Sequence, residues 1–324
     1  MQVPTFVSMA ETGELDRRAT VARESLAACR LCPRECGVDR LSGELGYCGA
    51  GPEARVYRHM AHPGEEPPIS GTHGSGTVFW SHCTMSCCFC QNYRMSQLGN
   101  GTDRTIDELA GMIARLADEG CHNVNHVSPT QFLPHVLESL ALAWRRGYAL
   151  PVVWNTSGYE SPFVLELLDG VVDVYLSDIR YSSDEAARAY SDAPDYVPVS
   201  RSALREMHRQ VGDLVTDEEG VAQRGLIVRH LVLPNGHAGT DDALRFVARE
   251  LGAGTHVSLM AQYYPACRAA EFPELARRIT SGEWTKAVRV IESAGLENGW
   301  VQEYQEDVSP IAGTEIDADR ARSG

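Results

Sequence analysis

The sequence predicts an α/β fold in which parallel strands alternate with helices. Short segments rich in Val and aromatic residues recur along the chain, and segments with helical spacing of apolar residues separate them. The composition, with 43% hydrophobic and 23% charged residues, is that of an ordinary globular protein. Alternating strands and helices pair in parallel through right-handed crossovers. Such units form either a partly closed βα barrel or an open doubly wound sheet, and both place chemistry at the carboxyl ends of the strands.

Six segments are expected to form these strands. Each is short and apolar, and turn-forming residues flank it. They are residues 77–83, 123–128, 151–156, 171–177, 225–233 and 256–263, and a last strand is expected at 300–303.

Helices are predicted between the strands. The clearest begins after Thr105, which is followed three residues later by Glu108 as in a capping box, and its apolar spacing continues to Gly120. Further helices are expected at 131–146, 160–168, 202–214, 240–251 and within 272–295. The Asp- and Arg-rich tail after Ile316 is expected to be disordered.

Changes in pattern divide the chain into three predicted domains. Residues 1–75 form a cysteine-rich N-terminal module with little regular pattern, which ends in a Gly- and Pro-rich stretch. Residues 76–265 hold the six βα units, and residues 266–324 form a C-terminal helical extension and tail.

Charge and hydropathy exclude several classes of partner. The net charge of −15 makes nucleic acid an unfavourable ligand. We expect no membrane insertion, because no apolar run is long enough, and no signal peptide begins the chain; the expected location is cytoplasmic. The only lysine, Lys286, lies in a predicted helix, which excludes a Walker A loop and a Schiff-base lysine at a strand end.

Three cysteines follow the first strand at C-x3-C-x2-C spacing: Cys83, Cys87 and Cys90. Thiolates are the ligands of iron–sulfur clusters, and a [4Fe–4S] cluster held by three of them keeps one iron open to a substrate or cofactor. The alternative is zinc, with His82 or Cys88 as the fourth ligand.

A second group of cysteines has C-x2-C-x3-C-x11-C spacing: Cys29, Cys32, Cys36 and Cys48. Four cysteines are a complete ligand set for zinc, which would stabilise a module with little core of its own, or for an auxiliary iron–sulfur cluster. The remaining thiols, Cys121 and Cys267, are expected in the core.

These motifs resemble the radical S-adenosylmethionine superfamily, whose signature is this C-x3-C-x2-C loop after the first strand of a six-unit βα barrel. The sequence is most similar to the PflX-type subgroup, which is related to pyruvate formate-lyase activating enzymes. The similar stretches are CRLCPRECGVDR at 29–40, GEEPPISG at 64–71, CQNY at 90–93, NTSGYE at 155–160, RHLVLP at 229–234 and WVQE at 300–303. The resemblance implies a partial (βα)6 TIM-like barrel.

The resemblance also implies the chemistry. S-adenosylmethionine chelates the open iron of the [4Fe–4S] cluster, and one electron splits it into methionine and a 5′-deoxyadenosyl radical, which abstracts a hydrogen atom. The protein orients the cofactor and excludes water. A low-potential electron donor such as a flavodoxin or ferredoxin is the expected partner. No protein residue is assigned as a catalytic acid or base.

Cofactor-binding roles are implied by position at the strand ends. Phe89 is expected against the adenine or the cluster. Ser128 to Thr130 are expected to offer backbone carbonyls to the methionine amino group, with Ser-Pro-Thr in place of the family's Gly-Gly-Glu. Asn155 and Thr156 are expected to meet the ribose hydroxyls, although Asn155 could simply satisfy a strand end.

Further roles fall on later strands. Asp178 and Arg180 match an Asp-x-Lys element in which Arg replaces Lys, and a guanidinium can hold a carboxylate through two hydrogen bonds. Arg229 is a second candidate for the methionine carboxylate, and Gln262 for the adenine. Both arginines could instead pair with acidic residues at the barrel rim.

Three functions remain open at this point. The chain is expected to be an activase that abstracts hydrogen from a glycine of a partner enzyme, or an enzyme that acts directly on a small molecule or peptide. The third is a non-catalytic zinc or iron–sulfur protein. Glu65 and Glu66, in GEEPPISG, either line a site or lie in a solvated turn.

Overall fold

The structure, a computed structural model, describes residues 3–305. Its strands are β1 (Ala54–His62), β2 (Ser75–Trp80), β3 (Thr102–Arg104), β4 (Val124–Val127), β5 (Val152–Thr156), β6 (Val174–Asp178), β7 (Val215–Thr216), β8 (Ala222–Leu231), β9 (His256–Met260) and β10 (Gly299–Val301). Its α-helices are α1 (Val7–Thr12), α2 (Glu14–Glu24), α3 (Pro67–Ser70), α4 (Tyr93–Ser96), α5 (Ile106–Asp118), α6 (Leu133–Arg145), α7 (Pro162–Leu168), α8 (Asp184–Ser191), α9 (Tyr196–Val211), α10 (Thr240–Glu250) and α11 (Ser281–Ala294).

The strands form one mixed sheet, in the order β10-β9-β8-β6-β5-β4-β2-β1-β3, with β7 paired to β8. All neighbours from β2 to β10 along this order are parallel, whereas β1 is antiparallel to both β2 and β3. Helices connect the parallel strands, as right-handed crossovers require. The predicted α/β class is therefore confirmed, and each of the predicted strands is present with slightly shifted ends.

Helix α5 shows why local signals located most helices correctly. Thr105 caps it, because the Glu108 backbone N–H donates to the Thr105 hydroxyl (3.2 Å) and the Thr105 backbone N–H donates to the Glu108 carboxylate (2.9 Å). Leu109, Ile113 and Leu116 form its buried stripe. The capping box and the buried stripe both involve residues that are close in sequence. The spacing of these residues therefore predicts the helix without tertiary information.

Helix α9 begins at Tyr196, six residues before the predicted start at 202. The Tyr196 ring is fully buried, and its hydroxyl donates to the Ser157 carbonyl (2.8 Å) and accepts from the Arg180 backbone N–H (2.8 Å). Pro198 is tolerated because it lies in the first turn, where its missing N–H has no helical partner. Tertiary contacts of one tyrosine therefore extend this helix beyond its apolar pattern.

The first 75 residues are more regular than their sequence indicates. They contain α1, α2 and the nine-residue strand β1. Helix α2 buries only the narrow stripe of Leu15, Ala19 and Ala22, which is a weak signal in a sequence. Strand β1 pairs with β2 from Val56 onwards, across the boundary predicted at residue 75.

No helix within residues 3–305 is both long and apolar enough to cross a bilayer. The predicted C-terminal helix is present as α11, and the predicted last strand as β10, which pairs in parallel with β9. The tail after Ile316, expected to be disordered, lies outside the described residues.

Candidate functional site

The C-x3-C-x2-C loop lies just beyond the carboxyl end of β2. The Cys90 backbone N–H donates to the Cys87 carbonyl (3.1 Å), which closes a tight turn between the last two cysteines. The Cys88 backbone N–H donates to the Tyr190 carbonyl (2.7 Å) at the end of α8, and Cys88 is 1% exposed. The loop is therefore anchored at its centre to a neighbouring βα unit.

The three loop thiols sit in a setting that suits a metal cluster. Burial raises the pKa of Cys83 to about 11 and that of Cys90 to about 12, and the charge of Cys87 adds to both shifts. Ionised thiolates at these positions therefore need a bound cation. In residues 3–305, no three His, Cys, Asp or Glu side chains converge as one metal ion requires. The ligands of an iron–sulfur cluster bind separate iron atoms and therefore do not have to converge on one point.

A cavity of about 190 Å³ opens beside the loop. It is lined by Phe89, Cys90, Gln91, Asn92, Asp178, Arg180, Arg229, Leu231, Leu233, Met260, Gln262 and Tyr263. Five of the predicted cofactor-binding residues therefore meet there with one predicted cluster ligand: Phe89, Asp178, Arg180, Arg229 and Gln262. Phe89 packs edge to face against Tyr263 (5.6 Å between ring centroids), which forms an apolar wall.

Arg180 connects the C-x3-C-x2-C loop to strand β6 of the sheet. Its Nη1 lies 3.6 Å from the Cys87 sulfur, and its Nη2 donates to Asp178 Oδ2 (2.6 Å). Its Nε makes no hydrogen bond to the described protein atoms. Arg180 therefore supplies positive charge beside a predicted cluster ligand and keeps one N–H for another partner.

Three strands present their polar residues on the same face of the sheet. Side chains alternate along a strand, so that residues two apart share a face. Val153, Leu176 and Ile227 pack with the fully buried Ile69 of α3 on one face. Two residues later on the same strands, towards the carboxyl ends, lie Asn155, Asp178 and Arg229. Asn155, Asp178 and Arg229 therefore form a polar layer. It lies next to the apolar layer that packs against Ile69 of α3.

Arg229 is the centre of this polar layer. Its Nε donates to Asp178 Oδ1 (2.8 Å) and its Nη2 donates to Asn155 Oδ1 (2.6 Å). Its Nη1 faces Glu65 at 3.7 Å and Glu66 at 3.9 Å. Burial lowers the pKa of Arg229, but these carboxylates outweigh burial and raise it overall. Arg229 was expected to bind the methionine carboxylate. In the structure, protein groups already surround its guanidinium.

Glu65 and Glu66 do not lie in a solvated turn. Their side chains are 12% and 9% exposed, and Asn155 Nδ2 donates to Glu65 Oε2 (3.3 Å). Burial raises the pKa of Glu65 to about 7, although Arg229 lowers it. Sequence reasoning left these carboxylates undecided; the motif GEEPPISG, with two acids directly before a buried helix, was the available signal.

We expect Glu65→Gln to change how stability depends on pH. The raised pKa of Glu65 means that the folded state holds its proton more tightly than the unfolded state. The contribution of Glu65 to the free energy of unfolding should therefore fall as pH rises from about 4.5 to about 7. The glutamine side chain of the variant has no proton to lose, so the variant should lack this part of the decline in urea unfolding curves. Glu53→Gln, at an exposed position, is the control; a wild-type slope in Glu65→Gln would contradict the prediction.

The other predicted cofactor-binding residues lie outside the cavity wall. The hydroxyls of Thr130 and Thr156 donate to Glu160 Oε1 (2.7 and 2.6 Å), which also accepts from Trp154 Nε1. Ser128 accepts from the Gln131 amide through its carbonyl (2.8 Å) and has a positive φ of 52°. In this structure, the two threonines serve a buried hydrogen-bonding network centred on a glutamate that sequence reasoning had not selected.

The four N-terminal cysteines lie close enough in the fold for their charges to interact. Burial raises the pKa of Cys32 to about 12, and the charges of Cys48, Cys29 and Cys36 add to this shift. A Cβ at Gly46 would lie 2.5 Å from the Cys36 sulfur, so a larger residue there would require the Cys36 side chain to move. The four thiols do not converge as one zinc ion requires in the described chain. Zinc or a second cluster therefore remains a prediction.

The two cysteine groups are neighbours. Gly49, which follows Cys48, faces the ring of His82, which precedes Cys83; a Cβ at Gly49 would lie 3.4 Å from His82 Nδ1. The Arg34 side chain donates to the Thr84 carbonyl (3.1 Å) across the same boundary. The N-terminal segment thus packs directly against the C-x3-C-x2-C loop.

Comparison with known proteins gives one sequence relative and a set of similar structures. No family model matches the chain. The chain is 32% identical over 295 residues to the uncharacterized protein MJ0674 of Methanocaldococcus jannaschii, and the match covers 87% of this chain and 80% of that protein.

The similar structures have low sequence identity. HydG, a maturase of the [FeFe]-hydrogenase, superposes with a TM-score of 0.50 and 15% identity over 71% of this chain. The chain spans about half of HydG, since 52% of that protein is covered. Methylornithine synthase (PylB) gives a TM-score of 0.43 and 13% identity over 91% of this chain and 80% of its own. The chain thus shares its fold with HydG, as expected from the resemblance noted in its sequence.

Proposed function

The chain belongs to the family of the uncharacterized protein MJ0674, and we propose that it is a radical S-adenosylmethionine enzyme. The observation that carries the proposal is the C-x3-C-x2-C loop at the carboxyl end of the first parallel strand, with Cys90 in the wall of a cavity. Strand ends are where α/β folds place their chemistry. The fold shared with HydG supports the same assignment.

Cys83, Cys87 and Cys90 would hold a [4Fe–4S] cluster. When bound with one iron free of protein ligands, such a cluster supplies the electron for reductive cleavage of S-adenosylmethionine to methionine and a 5′-deoxyadenosyl radical. Arg180 offsets the negative charge of the thiolates, because its guanidinium is 3.6 Å from the Cys87 sulfur.

The cavity residues would orient S-adenosylmethionine. The free Nε of Arg180 is the better donor for the methionine carboxylate, because the Arg229 guanidinium is already enclosed by Asp178, Asn155 and two glutamates. Phe89 and Tyr263 give an apolar wall that excludes water from a reactive radical. Gln262 stays a candidate for the adenine.

Two finer functions are proposed. The motifs shared with the PflX-type subgroup support an activase that abstracts hydrogen from a partner enzyme. The buried carboxylates of Glu65 and Glu66, next to the cavity wall, favour the second candidate, an enzyme that binds a small substrate directly. Both need a low-potential electron donor, for which a flavodoxin or ferredoxin is proposed, and both leave zinc or a second cluster for the N-terminal cysteines.

The class is tested by an assay of cofactor cleavage. Protein reconstituted anaerobically with iron and sulfide, reduced with dithionite and given S-adenosylmethionine should release 5′-deoxyadenosine and methionine in equal amounts. Omitting dithionite is the control and should stop the release. A colourless protein that holds only zinc, folds fully and never cleaves S-adenosylmethionine would instead be a non-catalytic metal-binding protein.

A further inference from the structure

We propose that the substrate is a small molecule with an ammonium group, which binds between Glu65, Glu66 and Asn125. This inference rests on the proposed function, because it names the substrate class of the same site. We call these three residues the ammonium subsite. These three residues are not part of the cavity wall, but Arg229 is, and its guanidinium faces both glutamates.

The charges around the subsite do not balance. Three carboxylates (Glu65, Glu66 and Asp178) meet two guanidinium groups (Arg180 and Arg229), which leaves a formal charge of 2 − 3 = −1 when all are ionised. Each arginine makes its short ion pair with Asp178. A buried carboxylate without a close cation is costly, so Glu65, whose pKa burial raises to about 7, holds a proton part of the time, and a bound cation would take the place of that proton.

The two glutamates receive little from the protein. Glu65 accepts one long hydrogen bond from Asn155 (3.3 Å), and the nearest arginine nitrogen is 3.7 Å from Glu65 and 3.9 Å from Glu66. These separations exceed the length of a charged N–H···O bond, about 2.7–2.9 Å. Both carboxylates therefore have lone pairs available for a ligand.

Asn125 is an independent observation that points to a ligand. It is completely buried on β4, yet neither its amide oxygen nor its amide nitrogen has a hydrogen-bonding partner among the described residues. It pairs in register with Val153 of β5, which packs on Ile69, so Asn125 faces the segment that carries the glutamates. Its amide faces the Glu65 carboxylate and lowers the pKa of that carboxyl as a hydrogen-bond donor does, although the contact falls outside normal hydrogen-bond geometry. Unpartnered buried amides are rare in native proteins and call for an explanation.

A bound ammonium group would account for both the weakly paired glutamates and the buried Asn125 amide. It carries one positive charge and three donors, which match the carboxylates of Glu65 and Glu66 and the Asn125 carbonyl oxygen. A metal ion is less suitable, because no three acidic, His or Cys groups converge in the part of the chain described here. Leu231, Leu233 and Met260 in the cavity wall would contact the apolar body of the substrate. The burial of both glutamates favours a small molecule over a folded partner.

The test measures binding of n-butylammonium to reconstituted protein by ligand-observed NMR, with n-butanol and butyrate as neutral and anionic probes of similar size. The same protein sample is assayed for release of 5′-deoxyadenosine. We expect n-butylammonium to bind at least tenfold more tightly than either probe. Glu65→Gln and Glu66→Gln should each weaken its binding at least tenfold, whereas the exposed control Glu53→Gln should not.

Binding of n-butylammonium no tighter than n-butanol would overturn the inference, and this comparison uses the wild type, so it stands even where a variant folds poorly. Displacement of n-butylammonium by S-adenosylhomocysteine would also overturn it, because the subsite would then hold the cofactor's own amino group. Wild type that cleaves S-adenosylmethionine but ignores n-butylammonium refutes only the substrate class. Wild type that binds n-butylammonium but never releases 5′-deoxyadenosine refutes the proposed function instead.

Discussion

Replacing Cys83, Cys87 or Cys90 by Ala is expected to abolish the release of 5′-deoxyadenosine and to remove about four iron atoms per chain, the content of one [4Fe–4S] cluster. In the proposed cluster each thiolate would be the sole protein ligand of one iron, so the loss of any one would leave the cluster under-ligated. Iron and sulfide content, the absorbance of the reconstituted protein and the cleavage assay measure the effect together.

Cys88→Ala is the matched control. Cys88 lies in the same loop and is buried, but it falls outside the C-x3-C-x2-C spacing of the proposed ligands, so its variant should keep iron and activity. Loss of iron from Cys88→Ala and not from Cys83→Ala would mean that the ligand set is different. Full activity in Cys83→Ala would refute the three-cysteine cluster. Counting zinc and iron in a Cys29→Ala/Cys32→Ala variant then assigns the metal of the N-terminal group.

The second large effect is expected for stability. Arg229→Met should lower the free energy of unfolding by about 3–5 kcal/mol, the usual cost of removing one partner from a buried ion pair. The reason is that Glu65, Glu66 and Asp178 would share one polar layer without the guanidinium that now faces all three. Urea unfolding at neutral pH measures it.

A surface ion pair gives the comparison. Arg55 bonds Asp103 (2.7 Å) with both side chains more than a third exposed, so Arg55→Met should cost about 0–1 kcal/mol. The destabilisation of Arg229→Met should shrink near pH 5, because the pKa of Glu65 is raised to about 7 and its protonation removes one of the charges that the arginine no longer faces. Two outcomes would show that the polar layer carries no uncompensated charge. One is an equal loss of unfolding free energy in the two variants, and the other is a loss in Arg229→Met that stays the same at low pH.

The sequence predicts much of the fold because its signals are local. The capping box at Thr105 and Glu108 and the apolar stripe of α5 involve residues within a few turns of one another. Helix α2 and strand β1 are less predictable, since α2 has a narrow alanine-rich stripe and β1 is defined by its pairing with β2. The start of α9 depends on one buried tyrosine and its contacts with two other βα units.

The candidate site divides in the same way. The cysteine loop is predictable because its ligands are close together in sequence and directly follow a strand. The direction of a side chain at a strand end is not predictable from neighbouring residues. Only the structure shows that five side chains meet at the cavity, and that the hydroxyls of Thr130 and Thr156 bond Glu160; the five are Phe89, Asp178, Arg180, Arg229 and Gln262.

By itself, the sequence determined the α/β class, the order of its elements and the cysteine loop at the first parallel strand, because periodicity and short spacings are properties of neighbouring residues. Only the tertiary structure decided that Glu65 and Glu66 are buried, that they face Arg229 and that the buried Asn125 amide makes no well-formed hydrogen bond within residues 3–305. These residues come from an N-terminal helix segment and two distant strands. Their charges interact only because the packing of Ile69 against the sheet brings them into one water-poor layer.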